Sequence, residues 1–224
     1  ALGLVQYEEN VGRLPPYVRS SDAGNVSWPV LLFEYMGRMD VGEAILDDPY
    51  FIVNEKPTIY IVEDVVCPAS VEKGEPELLS YAANVGEWDG TTAFNGVFSD
   101  GSRKVMSDKM TGGSEHSMAI TENLQAMSWA IDPTPTNPIT GYVGQLGVVW
   151  SGDPAGSCAS VSNATPCIYP NQCMQDAIAG SVGFARPSSQ HPNGVGMAFL
   201  SGRTQFINDD VDHEIYRTWM LSNE

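Results

Sequence analysis

The sequence predicts an α+β fold: a helix at the start of the chain packs on an antiparallel β-sheet, and a C-terminal hairpin and short helix complete it. Three stretches carry this expectation. ALGLVQYEENVGRLPPYV places Leu4, Tyr7 and Val11 at helical spacing. HPNGVGMAFLSGRTQFIND alternates around Ser201-Gly202 as a hairpin does. INDDVDHEIYRTWML sets acidic residues at a helix start, where they complement the macrodipole, ahead of Val211, Ile215 and Trp219 at i, i+4 and i+8.

Taken in order, the first helix stops at Gly12, and Pro15-Pro16 forbids its continuation. No cap precedes Ala1, so residues 1–12 read as the last turns of a longer helix, and the expectation is an upstream apolar segment of about 20 or more residues. NVSWPVLLFEYMGR reads as a short helix with Ser27 as N-cap and Pro29 tolerated in the first turn. DVGEAILDD reads as another, because Asp40 and Glu43 have capping-box spacing. PTIYIVEDVVCP and LLSYAANVG are β-rich and bounded by Pro and Gly, which predicts strands, and a further strand is expected from Ser117 to about Glu122. DPTPTNPITG is a Pro-rich loop. From about 150 to 181 the chain is polar, punctuated by Gly and Pro, and bears cysteines, which reads as an insert in a single domain spanning 1–224. In the hairpin, a two-residue turn at Ser201-Gly202 would set Met197 opposite Phe206. Val195, Met197, Phe199, Thr204 and Phe206 would then share the core face, leaving Ala198, Leu200, Arg203, Gln205 and Ile207 on the other.

Composition narrows the functions. With 11 basic against 28 acidic residues the net charge is −17, which opposes contact with phosphate backbones and anionic lipids and argues against a nucleic-acid partner. No stretch reaches the roughly 18 apolar residues of a membrane span, so membrane contact is expected only through the missing upstream stem. Cys67, Cys158, Cys167 and Cys173 are even in number and read as two disulfides of an oxidising compartment. The favoured pairing is Cys158 with Cys167 and Cys67 with Cys173, among the three pairings four cysteines permit. The spacing of the last three lacks the close cysteine pairs of structural zinc.

Five segments in the same order carry a family resemblance. HPNGVGMAFLSGRTQFINDDVDHEIYRTWM resembles the C-terminal signature of a large planctomycete family with prepilin-type N-termini, a histidine, nine residues and then Asp-Gly. Here His191 precedes Ser201-Gly202 at that spacing, with serine in place of aspartate. MTGGSEHSMAITEN is similar to the family's second motif: Thr111, Gly113, Ser114, Ser117 and Glu122 fit, and Gly112 replaces its aspartate. ALGLVQYEENVGRLPPYV, SWPVLLFEYM and VVCPAS also look like family blocks. The resemblance implies a type IV pilin-like or pseudopilin-like subunit. Such a subunit is anchored in the inner membrane by an N-terminal stem, handled there by an assembly machinery, and then found outside the cell or at its surface in a homopolymer.

Candidate sites weigh toward structure. Ser201, His191 and Asp209 make a Ser-His-acid set on paper, but Ser201 belongs to a hairpin turn and not to a strained nucleophile elbow, so no enzyme is expected. His116 and His191 could bind a metal together, but a lone histidine before Pro-Asn-Gly reads better as a hydrogen-bonding loop residue. Asp209, Asp210 and Asp212 resemble part of a calcium loop but lack its full pattern, and helix capping accounts for them better. The five tryptophans read as core more than as ligand platforms, with Trp88 in the loop GEWDGT the one to watch. Asn25 and Asn163 begin glycosylation sequons. No cofactor is expected. The first functional expectation is a structural subunit of an extracellular filament or pseudopilus that acts by self-assembly. The alternative is a surface binding module, for glycan or another envelope partner, on a pilin-like stem; exposed aromatics beside a cleft would favour it.

Overall fold

The computed structural model describes residues 2–50, 62–70, 79–87, 95–99, 107–110, 112–126, 128–131, 134, 143–150, 170 and 185–221. Helix α1 spans Leu2–Val11, strands β1 and β2 span Val18–Ser21 and Gly24–Ser27, and helices α2 and α3 span Trp28–Phe33 and Met39–Asp47. Strands β3 (Tyr81–Glu87), β4 (Met118–Glu122), β5 (Gly147–Trp150), β6 (Gly194–Phe199) and β7 (Thr204–Asn208) follow, and helix α4 covers His213–Met220. A single helical turn, Val143–Leu146, leads into β5.

The class is α+β, as the sequence predicts, but the sheet is mixed. β1 and β2 form a separate antiparallel ribbon. The other five strands are ordered β5-β3-β4-β6-β7, with β5 parallel to β3 and every other neighbour antiparallel. β5 is the strand the sequence reading missed, because GVVW is too short a run to show a period.

Each face of the sheet buries its own apolar cluster. On one, Leu4 and Tyr7 of α1 and Trp28, Leu31, Leu32 and Phe33 of α2 pack with Ala83, Val85, Ile120 and Val149. On the other, Tyr216 and Met220 of α4 pack with Ala82, Met118, Val148, Trp150, Val195, Met197, Phe199 and Ile207. Opposed layers of this kind are how a sheet hides two apolar faces at once. α1 ends as predicted, with the Gly12 N–H donating to Glu8 O at 2.8 Å. α2 starts after Ser27 with Pro29 in its first turn, but the Ser27 hydroxyl donates to the Trp129 carbonyl instead of capping the helix.

Four details depart from the sequence reading. The hairpin turn has three residues, not two: Gly202 N–H donates to Phe199 O at 3.0 Å and Phe199 N–H to Arg203 O at 2.8 Å, with Gly202 at φ 86°, a conformation side chains disfavour. The extra residue slips the register by one, so Met197 pairs with Gln205 and Gly196 with Phe206. Ile207 therefore enters the core and Phe206 leaves it. VEDVVC forms no strand over its described part, Val62–Cys67; Glu63–Val65 is a 3₁₀ turn. The Asp40/Glu43 capping box does not form, since α3 begins at Met39 and Asp40 pairs with Arg38 at 3.1 Å. That pairing holds the exposed Asp40 carboxyl below its ordinary range. Finally, α4 buries Tyr216 and Met220, whereas Ile215 is 49% exposed.

Candidate functional site

The slipped register has a consequence for the surface. Gly196 and Ala198 lie on the face of β6 that looks toward α1 and α2 and neither fills the space above it, while the slip sets Phe206 on that same side, opposite Gly196. The result is a cleft of about 680 Å³. Leu2 and Leu4 of α1, Trp28 and Leu32 of α2, and Tyr35 form one wall, and Ile120, Gly196 and Ala198 form the floor. Phe206 lies on its lining and is 49% exposed, with Leu2 at 70%.

Glu122 carries the polar chemistry of this cleft. It ends β4, a strand buried along its whole length, and shares the floor face with Ile120. A carboxylate so placed must be matched by hydrogen bonds. Its Oε2 accepts from the Gly196 N–H at 2.6 Å, which requires a close backbone approach: a Cβ on Gly196 would lie 3.1 Å from that same oxygen. Its Oε1 accepts from the Cys67 thiol at 3.1 Å and from His191 Nε2 at 3.1 Å, while Cys67 Sγ and His191 Nε2 are 3.5 Å apart. The carboxylate is thus held on both oxygens.

Two turns deliver the partners. After Glu63–Val65, the Ser80 N–H donates to Val65 O at 2.9 Å, pinning this segment beside β3 and Cys67 near the end of β4. On the other side, the His191 N–H donates to Ser189 Oγ at 3.1 Å, and that hydroxyl donates to Gly194 O at 2.7 Å. Asn193, at φ 65°, turns the chain into β6. His191 therefore both marks the hairpin entrance and reaches the buried carboxylate. Tyr81 stands directly across from Glu122 in the β3–β4 pair. Burial, and then the neighbouring Cys67 and Glu122, push its phenol up to about 12.

The other candidates are placed elsewhere. His116 lies in the turn before β4 and His191 in the turn before β6; these strands are antiparallel, so the histidines sit at opposite ends of the pair. Ser201 is separated from His191 by the six residues of β6, roughly 20 Å at about 3.3 Å per residue, so the Ser-His-Asp set is not assembled. Instead the two motifs brace each other: the Ser201 N–H donates to Ser114 O at 3.1 Å, Leu200 N–H to Ser117 O at 3.0 Å, and Ser117 Oγ to Gly113 O at 3.0 Å. Asp212 caps α4, accepting from Glu214 and Ile215 N–H at 3.0 and 3.1 Å, and the Asp209 N–H donates to Asn193 O. Asn25 is buried in β2 and donates to Thr134 O, which leaves no room for a glycan. Among the described residues no disulfide is present, and Cys67 carries a thiol. Cys158, Cys167, Cys173, Thr111, Trp88 and Asn163 lie outside the described residues.

The segments that define this site, VVCPAS, the Glu that closes MTGGSEHSMAITEN, and the His that opens HPNGVG, are three of those that carry the sequence resemblance. Residues 1–214 match the model of a family described as protein of unknown function (DUF1559). The chain belongs to that family. No curated protein and no solved structure matches the chain, so the DUF1559 assignment brings no activity with it. From sequence, Glu122 stands out only as a residue that fits the second motif and Cys67 only as a disulfide cysteine, and neither is read as part of a site with His191. A charged residue ending an otherwise apolar strand was the available signal for the first; Cys67 was masked by its apparent partnership with the downstream cysteines.

Proposed function

We propose that the chain is a pilin-like subunit of the cell exterior whose ectodomain is a binding module, and that its ligand enters the cleft between α1 and the β4–β6–β7 face. The observation that carries this reading is the cleft itself, an apolar trough of about 680 Å³ with Tyr35, Tyr81 and the half-exposed Phe206 on its lining. Clefts with apolar walls and a few convergent polar groups are the usual form of a small-ligand site. Aromatic faces beside such a trough suit ring-shaped ligands, and Glu122 and Asp64 on the lining disfavour anions. The favoured ligand is a neutral pyranose of a cell-envelope glycan, bound without turnover. The pilin-like part rests on the prepilin-type resemblance and on α1, which buries Leu4 and Tyr7 against the body of the fold.

Purified chain should sediment with isolated envelope glycan and quench the fluorescence of Trp28, which lines the cleft. Phe206→Ala should lower retention at least tenfold. Equal retention of the parent and Phe206→Ala chains removes the cleft from the account.

Self-assembly has separate support. Among the described residues β7 is an edge strand, with Thr204, Gln205 and Phe206 exposed, and such an edge is a template for pairing with another chain. Repulsion between copies of net charge −17 should make any polymer lengthen as salt screens the charge. Precursor-derived mature subunits that stay monomeric at all salt concentrations count against this second reading.

A further inference from the structure

We propose that Cys67, Glu122 and His191 form a mononuclear site for a thiophilic divalent cation of the zinc type, with a fourth position left to water or to a ligand in the cleft that Glu122 lines. One sulfur, one oxygen and one nitrogen donor, from three distant parts of the chain, lie within 4.8 Å of one another. Their separations are 3.1, 3.1 and 3.5 Å, a nearly equilateral triangle. Zinc bonds of about 2.3 Å to sulfur and about 2.0–2.2 Å to nitrogen and oxygen require tetrahedral edges of roughly 3.3–3.6 Å. Opening the triangle by a few tenths of an ångström is enough to seat the ion above it. Cysteine, histidine and carboxylate are together a borderline-soft set, which favours zinc over calcium or magnesium.

Two further features set this arrangement apart from a catalytic relay. In a nucleophile–histidine–acid chain the acid grips one ring nitrogen and the nucleophile meets the other. Here Glu122 and Cys67 both face Nε2 of His191. That convergence on one point suits a cation, not a proton passed along a line. The support around the donors is also of the kind ligands need: Gly196 N–H fixes the second carboxylate oxygen, and Ser189 fixes the backbone of His191. An entry path exists, since the His191 side chain is 40% exposed while that of Glu122 is 7% exposed. On binding, the thiol proton is released to solvent, His191 takes the neutral tautomer that carries its proton on Nδ1 and so frees the Nε2 lone pair, and the cation replaces the two hydrogen bonds at Oε1.

The test is a cobalt(II) titration of the reduced 224-residue chain with Cys158, Cys167 and Cys173 replaced by serine, so that Cys67 is its single thiol. Expected is a thiolate-to-cobalt charge-transfer band that saturates at one equivalent, together with the intense visible bands of four-coordinate cobalt. Cys67→Ser should abolish the charge-transfer band, and His191→Ala and Glu122→Gln should each weaken apparent affinity at least tenfold. Zinc should bleach the spectrum stoichiometrically. A folded chain, judged by circular dichroism, that gives no charge-transfer band overturns the proposal, as does a band that His191→Ala leaves unchanged. If the triple-serine chain does not fold, the parent chain supplies the same decision, because a one-equivalent band insensitive to His191→Ala and Cys67→Ser refutes the site.

Discussion

Asn84 is a sharp point at which to perturb the fold. It is fully buried in β3, where the pairing with β5 shifts register. Its Nδ2 donates to Met118 O at 2.8 Å and to Met220 O at 2.9 Å, and its Oδ1 accepts from Gly86 N–H at 2.9 Å. One side chain thus ties β4, the end of α4 and the irregularity of its own strand. Asn84→Leu keeps the approximate volume and removes all three bonds. At about 1 kcal/mol net for each, and more wherever a buried group is left unmatched, the loss is about 3–4 kcal/mol. That is a large part of the 5–15 kcal/mol by which domains are typically stable. Asn84→Asp adds a sign to the magnitude. An ionised carboxylate would face two carbonyl oxygens, so its folded pKa must rise above the unfolded value of about 3.9. Protons then bind the folded state more tightly, and Asn84→Asp regains stability relative to the parent as pH falls toward that unfolded value. Urea unfolding followed by tryptophan fluorescence measures both, provided the slope is unchanged. A loss below about 1 kcal/mol in Asn84→Leu, or a constant difference between Asn84→Asp and parent from pH 7 to 4, refutes the reasoning.

Three other expectations follow from the packing. Ile207, 4% exposed, should cost about 3 kcal/mol when cut to alanine, and the half-exposed Phe206 distinctly less; the reverse order by urea unfolding would restore the two-residue turn. Asp212→Ala should lower stability by about 1 kcal/mol through loss of the α4 cap, read in the same assay. Gly196→Ala should displace Glu122 by a few tenths of an ångström while leaving the strand intact, so cobalt affinity should fall with little change in urea midpoint; unchanged affinity would show that the carboxylate orientation does not matter.

The sequence displayed the elements better than their registration. α1, α2, β3, β4 and the terminal helix follow from apolar spacing and from Gly and Pro punctuation, and all lie close to where those signals put them. The hairpin was legible too, but its register was not: Phe206 and Ile207 are both apolar, so alternation cannot say which faces the core, and one additional turn residue decides it. That residue also moves Phe206 out of the core and onto the lining of the cleft. The site was hidden for a different reason. Cys67 and Glu122 are 55 positions apart, and His191 lies 124 beyond Cys67. Only the order β3-β4-β6 and the turn at Glu63–Val65 bring them together. Resemblance marked the three segments as notable without saying that they meet.

The proposed role of this DUF1559 protein stands on ligand binding in the cleft over β4, β6 and β7. Amide chemical-shift mapping of the isotopically labelled chain, titrated with solubilised envelope glycan, tests it most directly. The prediction is saturable shifts concentrated at residues 2–4, 120–122, 194–198 and 204–206, with the Gly196 amide among the largest because it donates to Glu122. Saturable shifts confined to α3 or α4, or none at any glycan concentration, would contradict it.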